Sequence, residues 1–595
     1  MVKYNVEQLE VINSKEGAFA VLASAGSGKS TVLVERVGRL IESGVNSDEI
    51  AVVTFTDNSS QDLKSKFKKK KIEGITTGTF HSICKRILIS EGIDTSKQLA
   101  PYQIENEFRK IDEKVKFKDV MSFIGYQKNN GIGVNDDFIE KESDYTENEL
   151  RDFYKSYEEL KTRQHALDFE DWLILTVDVL NKKPNRYTFE YILVDESQDN
   201  NSIQNKLMKL LCPKGNVMAI GDFRQAIYGF RGSNPELFMN FKNQYKNAKV
   251  INLSMNYRST KNVVENSNSF ISKYYGDYEF YKDSVSSNKN NGNINLNTNC
   301  DKNEEAENIV EQIKEDLKNG VKPNDIAVLY RNNSNSFNIE NELKKNNISY
   351  FISSTDGNFF NRKEIACVMC MLRLIDNPND NIAYDTVFST RTYPFTYMKN
   401  TIRDKIRDLS AIKNISLYEA SDMVKTETSN QRKSIDTFND MITQLIIQHK
   451  KGVKLEVLVT NILTLLRMNS YIEDKYEGEQ LEERMESITA LKSFIRDNTL
   501  ESFLKFVYGS GKSQKKCSKD DITLTTIHKS KGLEWKSVYL VGIQDGKFPS
   551  DRSNDILEEA RLMYVAVTRA KENLTVSQIY EGNRFVNEYF EKTIN

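Results

Sequence analysis

The sequence predicts an α/β protein built on parallel sheets, and three observations carry that prediction. Short apolar runs, Ile50–Val53, Tyr191–Val194, Val217–Ile220 and Val250-Ile251 with Leu253, each stop at polar residues. Runs this short read as strands buried on both faces, the kind found in parallel sheets covered by helices. Charged, amphipathic stretches of helical character lie between them. Finally, the first apolar run, Ala18–Leu22, leads into a glycine-containing turn that opens an amphipathic helix, Val32 to Leu40.

That turn reads Ala23-Ser24-Ala25-Gly26-Ser27-Gly28-Lys29-Ser30-Thr31. Ala23 stands where the G-x-x-x-x-G-K-[ST] loop usually has its first glycine. Gly26 and Gly28 allow backbone N–H groups to turn inward on a polyphosphate, and the helix N-terminus adds its positive end. Lys29 is placed to reach the outer phosphates of ATP, and the Ser30 hydroxyl to ligand Mg²⁺. A plain Gly-Ser turn has no need of Lys-Ser directly after the second glycine. Upstream, Gln8 in YNVEQLEVI offers the donor and acceptor that reading an adenine edge requires.

The bulk numbers restrict the alternatives. A chain of 595 residues suggests roughly four domains. With 83 basic and 85 acidic residues the net charge is −2, so nucleic-acid binding must rest on local basic faces. Six scattered cysteines, Cys84, Cys212, Cys300, Cys367, Cys370 and Cys517, suit a reducing, cytoplasmic setting. Cys367 and Cys370 form a C-x-x-C inside the apolar helical run IACVMCMLRLI, which reads as helix core rather than a metal or redox site. No run of 18 apolar residues points to a membrane.

In order along the chain, Thr54-Phe55-Thr56 follows the second strand, at the edge where α/β sheets bind ligands. Lys64, Lys66 and Lys68–Lys71 read as a solvated basic run. His81, in Gly78-Thr79-Phe80-His81-Ser82, reads equally as a core-edge residue or a nucleic-acid backbone contact. Residues 92–165 are charged, aromatic and helical, and Leu167–Asp171 begins another helix. The strand Tyr191–Val194 ends in Asp195-Glu196. Asp195 there can hold Mg²⁺ through its water shell, and Glu196 can deprotonate an attacking water. After Val217–Ile220, Gln225 is a candidate γ-phosphate sensor. Tyr228, Phe230 and Arg231 interleave aromatics with charge, the composition of a stacking platform for unpaired bases; core packing is the competing reading.

The segments QLEVINS, ASAGSGKS, VVTFTDNSS, GTFHSI, LVDESQD, IGDFRQAIYGFRG and NYRS resemble, in this order, the first motifs of the UvrD/Rep/PcrA family of superfamily 1A DNA helicases. Ala23 in the phosphate loop is usual in that family. Farther on, AVLYR, Phe360–Ile365 and Ile522–Trp535 (ITLTTIHKSKGLEW) resemble later motifs, as does Glu558–Lys571 (EEARLMYVAVTRAK). The resemblance spans almost the whole chain, except about 92–165 and 380–515. It implies two RecA-like P-loop motor domains with parallel sheets, each carrying a mainly helical insertion. The first motor would be 1–91 with 166–255, interrupted by 92–165; the second would be 256–379 with 516–595, interrupted by 380–515.

It also implies an ATP-dependent 3′–5′ helicase or translocase on single-stranded DNA and single/double-strand junctions, working in repair, replication or recombination. By the same resemblance Tyr257 stacks on adenine, Glu534 contacts the ribose, and Arg258 and Arg569 are arginine fingers reaching across from the second motor. Thr526, His528 and Lys531 lie where the family meets DNA. Without the resemblance, Glu558–Lys571 reads as one amphipathic helix with Arg569 as a surface charge. Two departures stand out. Asn335-Ser336-Phe337 replaces a Q-S-R, and no Gly-Ile-Gly turn occurs in 380–515, where Arg391–Phe395 is the nearest segment. The first puts in doubt a basic contact from that helix. The missing turn, with the small segment at 92–165, motivates an alternative, a translocase that unwinds poorly alone. A further alternative is a motor subunit of a larger nuclease or defence complex, which would need a protein partner. Gly509-Ser510-Gly511-Lys512-Ser513 imitates a phosphate loop but has no strand before it and reads as a linker.

Overall fold

The computed structural model describes residues 3–353, 359–476, 478–495, 499–508, 518–551, 553 and 555–594. The chain divides into two units. The first is Met1–Ile294 with Pro549–Glu572 and Arg584–Asn595; the second is Asn295–Phe548 with Asn573–Asn583.

The first unit is organised by a six-stranded sheet. Its strands are β1 (Phe19–Ala23), β2 (Ile50–Val53), β3 (Thr76–Gly78), β4 (Tyr191–Val194), β5 (Val217–Gly221) and β6 (Lys249–Leu253). They lie in the order β3-β2-β4-β5-β1-β6, every neighbouring pair parallel. β1, β2, β4 and β5 are buried along their whole length, as unbroken apolar runs require. Because the strands run one way, the loops that follow them gather at a single edge. Two short strands, β7 (Met255–Asn256) and β8 (Val285–Ser286), pair beyond β6.

Residues 92–165 fold as helices around their own core, which includes Phe108, Phe123, Phe153 and Tyr157. Below that core, Lys128 and Lys161 are almost fully buried against Glu158, Asp168 and Asp171. Those three carboxylates lie close enough to share a cation. The two ammonium groups offset two of the three negative charges, and such pairing is what makes the burial tolerable.

The helix Ile556–Val567 also belongs to the first unit and packs against Lys261–Tyr275. It is shorter than the helical pattern of Glu558–Lys571 suggests. It ends at Val567, and strand geometry begins at Ala570. Arg569 is therefore not a solvated helix residue. It stands in the turn after the helix and is 1% exposed.

The second unit holds another six-stranded sheet. It contains β9 (Asn293–Asn299), β10 (Ile326–Tyr330), β11 (Tyr350–Ile352), β12 (Ile522–Thr526), β13 (Trp535–Ile543) and β14 (Ala570–Ile579), in the order β11-β12-β10-β13-β14-β9. The pairings of β10 with β12 and β13, and of β11 with β12, are parallel. Residues 381–508 are mostly helical where described, and one apolar cluster runs from Phe337 and helix Lys363–Asp376 through to Val507. Cys367 and Cys370 are free thiols buried in that cluster, as the apolar pattern around them predicts. The linker reading of Gly509–Ser513 and Cys517 fall outside the described residues. Among the described residues no helix is long and apolar enough to cross a membrane.

Candidate functional site

The edge of the first sheet begins with the loop after β1. Gly26 and Gly28 both adopt left-handed backbone, at φ +72° and +82°. A side chain at Gly26 would collide with Arg258 Cβ at 2.7 Å and Asn256 Oδ1 at 2.8 Å, so glycine is required twice over. Lys29 opens the helix Lys29–Glu42 with Gly28 as its N-cap residue, leaving the first-turn N–H groups to face an anion. Ala23, Ser24 and Ala25 are buried, Ser30 is half-buried and Thr31 is exposed. Ser27 Oγ is buried with no partner among the described residues, a polar atom left over in a loop shaped for a polar ligand. Gln8 donates from Nε2 to Ser27 O at 3.1 Å and accepts from Asn5 N at 3.1 Å, so its carboxamide braces the loop.

β4 delivers the carboxylates. Lys29 Nζ donates to Glu196 Oε1 at 2.7 Å. Burial works against the lysine's charge, but Glu196, Asp195 and Asp222 outweigh it and raise its pKa. Burial, then the neighbouring Glu196, pushes Asp195 up to about 6. These acids are thus short of positive charge. Oxygen donors from Ser30 and Asp195 at the end of a buried strand fit a hard divalent cation, which would supply that charge. Glu196 itself sits at φ +52°, a left-handed conformation that costs a non-glycine residue energy and turns its carboxylate toward Lys29.

β5 delivers the third group. Gln225 Nε2 donates to Asp222 Oδ2 at 2.7 Å, and Arg569 donates from a terminal guanidinium nitrogen to Gln225 Oε1 at 3.2 Å. Arg569 Nε also donates to Val565 O at 2.9 Å. Arg258 donates to Thr568 O at 3.2 Å, and Tyr257 N donates to Gly26 O at 2.9 Å. Lys29, Glu196, Gln225, Arg258 and Arg569, some 540 residues apart in sequence, are therefore tied into one unit. Tyr257 remains half exposed beside the phosphate loop.

A second cluster continues along the same edge. Phe55 and Tyr228 stack with ring centroids 5.0 Å apart, and Phe230 follows at 6.1 Å from Tyr228. Arg231 lies over both Tyr228 and Phe230, 5.5 and 5.4 Å from their centroids. Phe230 is 56% exposed, which is inconsistent with core packing, whereas Tyr228 is partly covered by Phe55. Thr54 is buried and donates to Thr56 O, while Thr56 is exposed and caps the next helix. His81 is half-buried. Burial holds its imidazole below its ordinary value despite Asp57, so it is neutral at pH 7.

Thr526, His528, Lys531 and Glu534 lie in the second unit. Thr526 caps the short helix Ile527–Ser530, His528 and Lys531 are half-buried, and Glu534 is exposed just before β13.

Sequence reasoning passed over three residues here. Gln198 donates to Glu196 Oε2 at 2.5 Å and accepts from Asp222 N at 3.0 Å, linking the ends of β4 and β5. Gly221 makes room for it, since a Cβ there would lie 2.1 Å from Gln198 Oε1. Only the carboxamide two residues after Glu196 hinted at this. Asn256 Oδ1 accepts from the N–H groups of Arg258 and Ser259, both at 2.8 Å. Phe169, half exposed, meets His81 edge-on at 6.3 Å.

The UvrD/REP helicase N-terminal domain matches residues 4–246, and the UvrD-like helicase C-terminal domain matches residues 251–581. A DNA helicase II of Haemophilus influenzae is 31% identical over 96% of this chain and 83% of its own length. Proteins described as ATP-dependent DNA helicase PcrA from Staphylococcus aureus and Staphylococcus epidermidis are 29% and 30% identical, with the same coverage.

Proposed function

The chain belongs to the UvrD-like helicase family and is an ATP-dependent DNA helicase; from that premise we propose that it moves 3′ to 5′ along single-stranded DNA and separates duplexes during repair, replication or recombination. Kinship alone supports the polarity and the cellular role. The assignment of 1–91 with 166–255, and of 256–379 with 516–595, to two motor domains belongs to the same proposal. The observation that carries the chemistry is the gathering of Lys29, Glu196, Gln225 and Arg569 at the edge of one sheet.

The residues act as follows. The β- and γ-phosphates of ATP rest on the N–H groups of Gly26–Ser30. Lys29, now paired with Glu196, swings its ammonium group toward the γ-phosphate, and Glu196 becomes the proton acceptor. Gln198 keeps the other Glu196 oxygen in place. Glu196 takes a proton from water, the water oxygen attacks the γ-phosphorus, and the bond to the β–γ bridging oxygen breaks. Ser30 and Asp195 would hold a Mg²⁺ ion, which would supply positive charge to the phosphate oxygens. Gln225, Arg258 and Arg569 face the charge that spreads over the transferring group. Tyr257 stacks on the adenine. Single-stranded DNA lies on Tyr228 and Phe230, its backbone near Thr54, Phe55, Thr56, His81 and Arg231. Thr526, His528 and Lys531 are the second unit's DNA contacts.

The test is ATP turnover with and without oligo(dT), and with and without Mg²⁺. Glu196→Gln should keep ATP binding and lose roughly 10²–10⁴-fold in rate, the usual contribution of a general base. Turnover within about threefold of wild type would remove Glu196 from that role. Partial duplexes with a 3′ or a 5′ tail decide polarity, and unwinding only from a 5′ tail would refute it.

A further inference from the structure

Two segments far apart in sequence flank the phosphate loop on the side where Tyr257 stands. One is helix Val6–Asn13, which carries Gln8; the other is the chain after β6, which carries Tyr257. Gln8 uses one amide hydrogen on Ser27 O and one carbonyl lone pair on Asn5 N, and a carboxamide has one more of each. A donor beside an acceptor matches the N7 and N6-amino edge of adenine, whereas guanine presents two acceptors there. The match holds only at a fixed spacing, because a base stacked on Tyr257 must also meet the carboxamide at hydrogen-bond distance.

Glu7 ties the two segments together. Its Oε2 accepts from Ser254 N at 2.9 Å, and its Oε1 accepts from Ser254 Oγ at 2.7 Å and from Lys282 Nζ at 2.8 Å. Burial works against the charge of this carboxylate, but Lys282 and Ser254 outweigh it and lower its pKa, so the acceptor is ionised at pH 7. Ser254 is buried, and its carbonyl oxygen accepts from Val285 N at 2.9 Å. Tyr257 follows in the same segment, its N–H donating to Gly26 O at 2.9 Å. At the other end of helix Val6–Asn13, Arg36 donates to Val11 O at 3.2 Å and to Lys15 O at 3.1 Å. The helix is therefore pinned at both ends, and hydrogen bonds to a charged group are among the strong ones.

We propose that Glu7 is a positioning residue for base selectivity: by clamping Ser254 to the helix that carries Gln8, it sets the spacing between Gln8 and Tyr257 and makes the site prefer adenine nucleotides. The inference rests on the proposed motor function and names the residue that fixes its choice of base.

The experiment measures kcat and KM of the full chain with oligo(dT) and Mg²⁺, for ATP and for GTP, in Glu7→Ala, Glu7→Gln and Ser254→Ala. Inhibition by tripolyphosphate, which has no base, probes the phosphate end alone. In Glu7→Ala the KM for ATP should rise about 2–10-fold, the usual worth of one hydrogen bond, while that for GTP rises less. The kcat for ATP and the inhibition by tripolyphosphate should stay near wild type. Glu7→Gln keeps an oxygen that can accept from Ser254, so it should retain most of the preference for ATP. Ser254→Ala removes only the Oγ contact and should shift the preference in the same direction by less; it carries the test if Glu7→Ala does not fold. An unchanged ATP-to-GTP preference in these variants overturns the proposal. A parallel rise for ATP, GTP and tripolyphosphate with a lowered melting temperature also overturns it, because a merely structural tie would give that. DNA-stimulated wild type that uses ATP and GTP equally refutes this inference alone, whereas wild type without DNA-stimulated turnover refutes the motor function beneath it.

Discussion

The two sheets begin alike and end differently. β1 and β10 are each five residues long and buried throughout. β1 runs into a loop whose two left-handed glycines leave backbone exposed, with a lysine set among more acids than it can neutralise. β10 runs into Arg331–Ser336, which contains no glycine. There several polar groups are taken up within the protein. Ser336 Oγ donates to Glu340 Oε1 at 2.8 Å, and Asn335 donates to Gly542 O at 3.4 Å. Arg362 stacks over Phe337 at 4.5 Å while pairing with Glu483 at 2.6 Å. The carboxyl edge of a parallel sheet is thus only an opportunity. It becomes a phosphate site where backbone donors and unbalanced charge are left for a ligand, and it becomes core where side chains complete one another.

The comparison breaks most sharply at Arg569. Arginine fingers typically contribute about 10³–10⁵ in rate, so Arg569→Ala should lose at least about 10²-fold in DNA-stimulated turnover. Arg569→Lys should restore little, because an ammonium group lacks the planar fork. Lys571→Ala is the control, and equal mild losses from Lys571→Ala and Arg569→Ala would mean that Arg569 touches no phosphate.

Two glycines sharpen the contrast. Gly26 and Gly542 both have positive φ and both lack room for a Cβ, the latter because Asn335 Nδ2 would lie at 2.2 Å. Left-handed backbone costs an alanine roughly 1–2 kcal/mol, or about tenfold, before any overlap is counted. Gly26→Ala should express that cost as weakened ATP binding in a titration. Gly542→Ala should express it as a lower denaturation midpoint, and the reverse pattern would contradict the division between site and core.

Phe230→Ala should weaken oligo(dT) binding by roughly 1–3 kcal/mol, the usual worth of a stacked base. Its exposed ring contributes little to the core, so the melting temperature should hold; a collapsed fold would instead restore the packing interpretation.

The pH-dependent effect belongs to Glu340. Burial pushes its carboxyl up to about 7, against the hydrogen bond from Ser336 and the charges of Lys344 and Arg362. The folded protein therefore holds a proton that the unfolded chain has released. This contribution is complete at acid pH and is lost as pH rises through about 7, at no more than about 1.4 kcal/mol per pH unit. Glu340→Gln should match wild type near pH 5 and exceed it in stability at pH 8; parallel pH profiles of the two melting temperatures would refute this.

Much of the first sheet and its loop edge was legible in sequence, because glycine, lysine and paired acids at strand ends act through local backbone geometry and charge. Gly26, Gly28, Lys29, Asp195 and Glu196 are where their spacing places them, and the short apolar runs are the buried strands. The helical pattern through Lys571 was not a guide to Arg569, since periodicity measures amphipathicity and says nothing of where a helix is stopped by the strand that follows. Burial of Arg569 against Gln225, the bridge of Gln198 between Glu196 and Asp222, and the grip of Glu558 on Gly229 all join residues distant in sequence or in different elements. Such contacts have no local signature. Tertiary structure alone decides them, because they exist only once the chain has closed on itself and each buried polar group has had to find its partner.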